Sequence, residues 1–147
     1  MANRNFEEMP VAATINNSIF CVHGGIPGPM SLENISKDEA YHFLWSDPCG
    51  CDGISASSRG SKPQCFGKDI FNEFMENNGL SLMVRGHTAL FTGYAWCFDR
   101  KLLSIFSTPE YTGKSNVASF AFLKGHELSV FVYGRTGECY SLIRTHF

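Results

Sequence analysis

Apolar and polar positions change rhythm along the chain. "SIFCVHGG", from Ser18 to Gly25, opens with five residues that read as a buried β-strand and ends in His-Gly-Gly. "SKDEAYHFLW" begins with Ser36 and Glu39 at capping-box spacing and sets Ala40, Phe43 and Leu44 on one face of a short helix. "KDIFNEFMENNG" repeats apolar residues at 70, 71, 74 and 75 and closes on Asn78-Gly79, predicting a helix with a left-handed cap that packs on a sheet. From there the texture is that of strands. "LSLMVRGH" is an apolar run ending in Gly-His, and "YAWCF" alternates Tyr94, Trp96 and Phe98 before the polar turn Asp99-Arg100-Lys101 leads into "LLSIFS", a hairpin. "VASFAFL", "LSVFVYG" and "CYSLI", separated by "KGHE" and "RTGE", predict a meander. Between the two helices, Ser46 to Gly67 is rich in Gly, Ser, Pro and Asp with little periodicity, and a loop of that length is usually functional or disordered.

Composition narrows the classes. At 147 residues the chain suits one domain, and a domain of that size buries about 68–70% of its unfolded surface. The hydrophobic share of 44% and the thirteen Phe argue for a packed interior and against disorder. A net charge of −2 and a pI near 6.2 offer no basic field, so neither nucleic acid nor an anionic membrane surface is an expected partner. No apolar run approaches the roughly 20 residues of a membrane span, and the opening "MANRNFEEMP" lacks a signal-peptide core, which predicts a cytoplasmic or nuclear protein. In that setting the six cysteines are expected as free thiols. Cys49-Gly50-Cys51 with Cys65 falls short of a paired zinc pattern, and the acceptor-like tripeptides at Asn16 and Asn34 are discounted as glycosylation sites.

The candidate chemistry lies at the strand ends. A glycine there permits close approach to the main chain, and a neutral imidazole beside it offers a lone pair to a metal or a proton. His23 precedes Gly24, and Gly86 precedes His87. The order "MPVAA", "IFCVHGG", "LWSDP", "SSRG", "FG", "VRGH" and "IFSTPEYTG" resembles that of the phosphoprotein phosphatases, the family of the type-1 and type-2A enzymes and calcineurin, over almost the whole chain. The resemblance implies that His23 and His87 bind one of two catalytic metal ions, that Arg59 contacts the substrate phosphate, and that Tyr111 approaches the same site. Each residue type suits its role: imidazole takes manganese, iron or zinc, guanidinium forks onto phosphate oxygens, and a phenol can donate to a developing oxyanion.

The same resemblance implies an α+β fold, a mixed and antiparallel β-sandwich flanked by helices, of which residues 1–147 form one partial metallophosphoesterase catalytic domain. The implied reaction is hydrolysis of phosphoserine and phosphothreonine esters by water held between two divalent ions. Phosphoprotein substrates and regulatory subunits are the implied partners. The family's upstream motifs, which carry the remaining ligands, do not occur in the sequence, so the chain resembles the C-terminal half of such a domain. It is expected to hold at most one ion weakly and to be inactive alone. Two other readings stand beside this one: a phosphoesterase acting on dinucleoside polyphosphates, and a truncated or pseudophosphatase chain acting as a non-catalytic binding protein. The chain departs from the family at Gly86, where alanine is usual, at Glu110, where asparagine is usual, and in a shorter connection from His23 to Trp45. A carboxylate at 110 facing the site would repel phosphate.

Overall fold

The computed structural model describes residues 9–33 and 35–146; the first eight residues and Asn34, on which the reading of the opening segment and of one acceptor tripeptide falls, lie outside them. A five-stranded sheet organises the chain, in the order β1 (Ala12–Ile15), β2 (Ile19–Val22), β6 (Leu82–Arg85), β8 (Leu102–Ile105), β7 (Tyr94–Cys97). β1 and β2 form an antiparallel hairpin, β2, β6 and β8 run parallel, and β7 returns antiparallel to β8. β1 has no counterpart in the apolar pattern, because three of its four side chains face solvent; pairing with β2 makes it a strand.

Alternate residues of these strands face two different layers. Phe20, Val22, Met83 and Leu102 meet Phe43, Phe66, Phe71, Phe74 and Met75, which are brought by α1 (Lys37–Trp45), α2 (Lys68–Asn77) and the segment between them. Ile19, Leu82 and Leu103 on the other face meet Leu128 and Val130. Those two belong to a three-stranded antiparallel meander of β9 (Ala118–Lys124), β10 (Glu127–Tyr133) and β11 (Cys139–His146), with β10 in the middle. The result is an α+β sandwich of one mixed and one antiparallel sheet with helices on the outer face, as the sequence led us to expect.

The helix ends match their signals. Ser36 caps α1 with Glu39 in a reciprocal capping box, and Gly79 after α2 is left-handed with φ 61°. α1 differs in its buried face: Phe43 is fully enclosed, whereas Leu44 is partly exposed, because the last turn docks through the Phe43 carbonyl. The segment from Ser46 to Gly67 is more ordered than its composition suggests. It forms a small sheet of β3 (Asp47–Pro48), β4 (Ile54–Ala56) and β5 (Gln64–Phe66), with β5 central. Within it Cys49 and Cys51 are joined by a disulfide, a correction to the expectation of free thiols throughout, while Cys21, Cys65, Cys97 and Cys139 are free. The tight turn at Gly50 brings the two Cα atoms to 5.5 Å, a spacing that suits the bond.

Candidate active site

Because β2, β6 and β8 are parallel, their carboxyl ends lie at one edge of the sheet, where open sheets of this kind gather ligand-binding groups. His23 follows β2, Gly86 and His87 follow β6, and Phe106 follows β8. The Gly86 amide donates to the His23 carbonyl at 3.1 Å, tying the first two ends together. His87 has a left-handed backbone, φ 67°, a conformation histidine adopts more readily than most residues. Its Nδ1 lies 3.1 Å from Nε2 of His23, and the edge of Trp45 approaches its ring at 5.4 Å between centroids.

The glycines after His23 admit the end of α1. The Gly24 and Gly25 amides both donate to the Phe43 carbonyl, at 2.8 and 3.2 Å. A Cβ on Gly24 would stand 2.5 Å from the Leu44 carbonyl, and one on Gly25 2.4 Å from the Phe66 ring. What a buried strand gains by ending in His-Gly-Gly is therefore a helix end seated directly against Gly24, which sets the Trp45 ring against His87 and leads the chain straight into Asp47.

Asp47 is the hinge of an ion-pair network that the apolar pattern gave no sign of. Its Oδ1 takes a bond from Nη2 of Arg85 at 2.9 Å and from the Thr88 hydroxyl at 3.0 Å, and its Oδ2 accepts from Nε of Arg59 at 2.5 Å. Arg85 is only 1% exposed; it also donates to the Gly24 carbonyl and to the Thr88 hydroxyl. Partial burial pushes the Asp47 carboxyl up, but the Arg59 hydrogen bond, the Arg85 charge and the Thr88 bond outweigh it and hold the group below its ordinary range. For His87, burial first and the Arg59 charge next lower the ring to about 4. His23 is lowered by lost hydration and then by Arg85 and Arg59. Both rings are neutral near pH 7, with lone pairs to offer.

Tyr111 sits in a 3-10 turn, Tyr111–Gly113, half exposed and edge-on to Phe106 at 5.2 Å. Its loop is clamped by Asn116, whose side chain accepts from the Tyr111 amide and donates to the Thr108 carbonyl, both at 2.8 Å. A cavity of about 460 Å³ opens between these elements, and His23, Arg59, His87 and Tyr111 all line it. The structure thus brings together all four residues that the sequence nominated. Glu110 is not part of its wall; the carboxylate pairs with Arg135 at 3.4 Å. Asp47, Arg85 and Thr88 were not nominated, although the first lies in "LWSDP" and the others flank "GH". An aspartate between the end of a helix and a proline, in a motif already singled out, was the available signal.

The residues present fit a divalent ion in part. Metal–nitrogen bonds run about 2.0–2.1 Å, so nitrogens 3.1 Å apart are within reach of one ion. Nε2 of His87 is buried without a partner among the described residues, so this ring is not committed to the surrounding protein through that atom. No group of three or more His, Cys, Asp or Glu side chains able to hold an ion occurs among the described residues. Nor is any helix there long and apolar enough to cross a membrane.

A solved protein serine/threonine phosphatase from Saccharomyces cerevisiae, described as similar to human phosphatase PP5, superposes with a TM-score of 0.76 at 28% identity, over 88% of this chain and 48% of that one. The chain spans about half the length of the structure it matches. The calcineurin-like phosphoesterase pattern matches residues 1–91, a stretch that includes both histidines, Asp47 and Arg59. That match covers more than half of the sequence, and the strand-end histidines lie within it: the chain belongs to the calcineurin-like phosphoesterase family.

Proposed function

We propose that the chain is the C-terminal part of a metal-dependent protein serine/threonine phosphatase, contributing half of the site that hydrolyses phosphoserine and phosphothreonine esters. The observation that carries this reading is the single cavity walled by His23, His87, Arg59 and Tyr111, with the two imidazole nitrogens 3.1 Å apart. His23 and His87 would hold one divalent ion of the manganese, iron or zinc type. When bound, such an ion supplies Lewis acidity toward a phosphoryl oxygen and lowers the pKa of water. Arg59 binds and orients the phosphoryl oxygens through its guanidinium, and Tyr111 donates to oxygen charge that develops during P–O cleavage. The seryl or threonyl oxygen leaves as the alcohol, and the water oxygen takes its place on phosphorus. Phosphoproteins are the substrates, with regulatory subunits as further partners.

Alone, the chain is expected to be inactive. Two divalent ions about 4 Å apart repel by about 16 kcal/mol at an effective dielectric constant of 20. Two neutral imidazoles offset none of that, and Asp47 is engaged by Arg59 and Arg85. A binding role without catalysis is the second reading, favoured by the lack of a third ligand among the described residues. Metal stoichiometry and phosphopeptide turnover test the proposal, measured on the 147-residue protein with and without a separately expressed N-terminal half of a related catalytic domain. We expect no more than one weakly held ion and no turnover from the chain alone, and turnover on complementation. Two tightly bound ions with robust turnover from these residues alone overturn it; no turnover in either arm supports the binding role.

A further inference from the structure

We infer that Asp47 is a positioning residue for phosphate binding, holding Arg59 so that the far edge of its guanidinium faces the cavity. The inference rests on the assignment of Arg59 to phosphate above. Arg59 sits in a segment of small and polar residues, Ser57 to Lys62, most of it exposed, and a long side chain there would otherwise sample many rotamers. Asp47 removes that freedom. It accepts from Nε at 2.5 Å and lies 3.4 Å from Nη2, so the Nε–Nη2 side of the fork is committed to it. Nη1 makes no hydrogen bond among the described residues and is left for a ligand, and Arg59 lines the cavity with both histidines and Tyr111. Asp47 is itself held from below by the buried Arg85, which is anchored on the carbonyl of Gly24, the residue next to His23. Thr88, next to His87, bonds to Asp47, Arg85 and, at 3.5 Å, Arg59. The phosphate arginine is therefore registered against the same two turns that carry the histidines.

The sign of one substitution separates this role from its rival. If Asp47 merely competed with phosphate for Arg59, removing its charge would tighten phosphate binding, because the site becomes more positive. If it positions Arg59, removal weakens binding despite the added positive charge. Inorganic phosphate is titrated into the 147-residue protein and followed by amide and guanidinium NMR shifts, for wild type, Asp47→Asn, Asp47→Glu, Arg59→Ala and the double variant Asp47→Asn/Arg59→Ala. Asp47→Asn is expected to weaken phosphate by about tenfold to a hundredfold, the range for loosening a charge-assisted contact. Asp47→Glu should restore part of the affinity, and the double variant should bind no more weakly than Arg59→Ala. Asp47→Asn leaves a buried guanidinium unpaired, so the comparison is repeated with Arg85→Gln throughout, which keeps the interior charge-balanced. Unchanged or tighter binding by Asp47→Asn, or additive losses in the double variant, overturn the positioning role while leaving Arg59 in the site. If Arg59→Ala itself leaves phosphate affinity unchanged, the assignment of Arg59 falls and the positioning role falls with it.

Discussion

Among the described residues His87 is strongly shifted by its surroundings, and it sets a pH signature for the fold. Its ring titrates near 4 in the folded chain against 6.5 unfolded, so the unfolded state takes up more protons as the pH falls below 6.5. Its stabilising contribution is complete above 6.5 and is lost as the pH falls through about 4. Asp47 acts lower on the scale. Its carboxyl lies below 3.8 when folded, so its contribution is present above that value and is lost in stronger acid. Urea unfolding in chelator at a series of pH values should therefore show two descending limbs. His87→Asn, which tolerates a left-handed backbone but does not titrate, should shrink the limb between 6.5 and 4, leaving the part that the lowered His23 and His42 rings contribute. A wild-type stability that stays level across that interval would contradict the burial of this ring.

Two glycines at neighbouring strand ends have opposite reasons for being glycine. At Gly24 a methyl would press on the α1 backbone, which cannot yield without undocking the helix, and Gly24→Ala should cost about 1–3 kcal/mol or more. At Gly86 the nearest atom to an added Cβ is 3.8 Å away and the residue is not left-handed, so the family's alanine fits. Gly86→Ala should raise stability by about 0.4–1 kcal/mol through the unfolded state. Thermal melts of the two variants check this; equal losses in both would mean the strand ends are packed alike. The contrast also marks what a sequence can reveal about elements. Both helices, their caps and the meander were legible because each carries a local period and a local stop signal. β1, β3, β4 and β5 were not, since strands of two to four residues without alternation exist by virtue of their partners. The four cavity residues were legible as motifs, whereas Asp47 was not, because its meaning depends on Arg85, which lies 38 positions away, and on Arg59 in a segment with no period.

The molecule as a whole joins distant parts of the chain, and this has a bearing on how it is made. Its central ladder pairs β2 with β6 in parallel, and the two histidines that meet at its end are 64 positions apart. Parallel pairing of that kind is slow because a long loop must close before any contact rewards it. During synthesis at about 5–20 residues per second, His23 would leave the ribosome about 3 to 13 seconds before His87. Over that interval the β1–β2 hairpin stands with one side of β2 unpaired, and β2 itself, Ile-Phe-Cys-Val, is apolar toward both layers. An open apolar edge is a template for pairing with another chain. A chain halted at Ser81 is expected to aggregate or to be degraded, and one extended to Ser107, which adds β6, β7 and β8, to resist limited proteolysis in the segment around β2. Equal protease sensitivity of the two would show that the edge is protected some other way. The arrangement that lets two strands present a pair of imidazoles thus leaves the nascent protein with a sticky half-sheet, a stage at which chaperones have reason to wait on it.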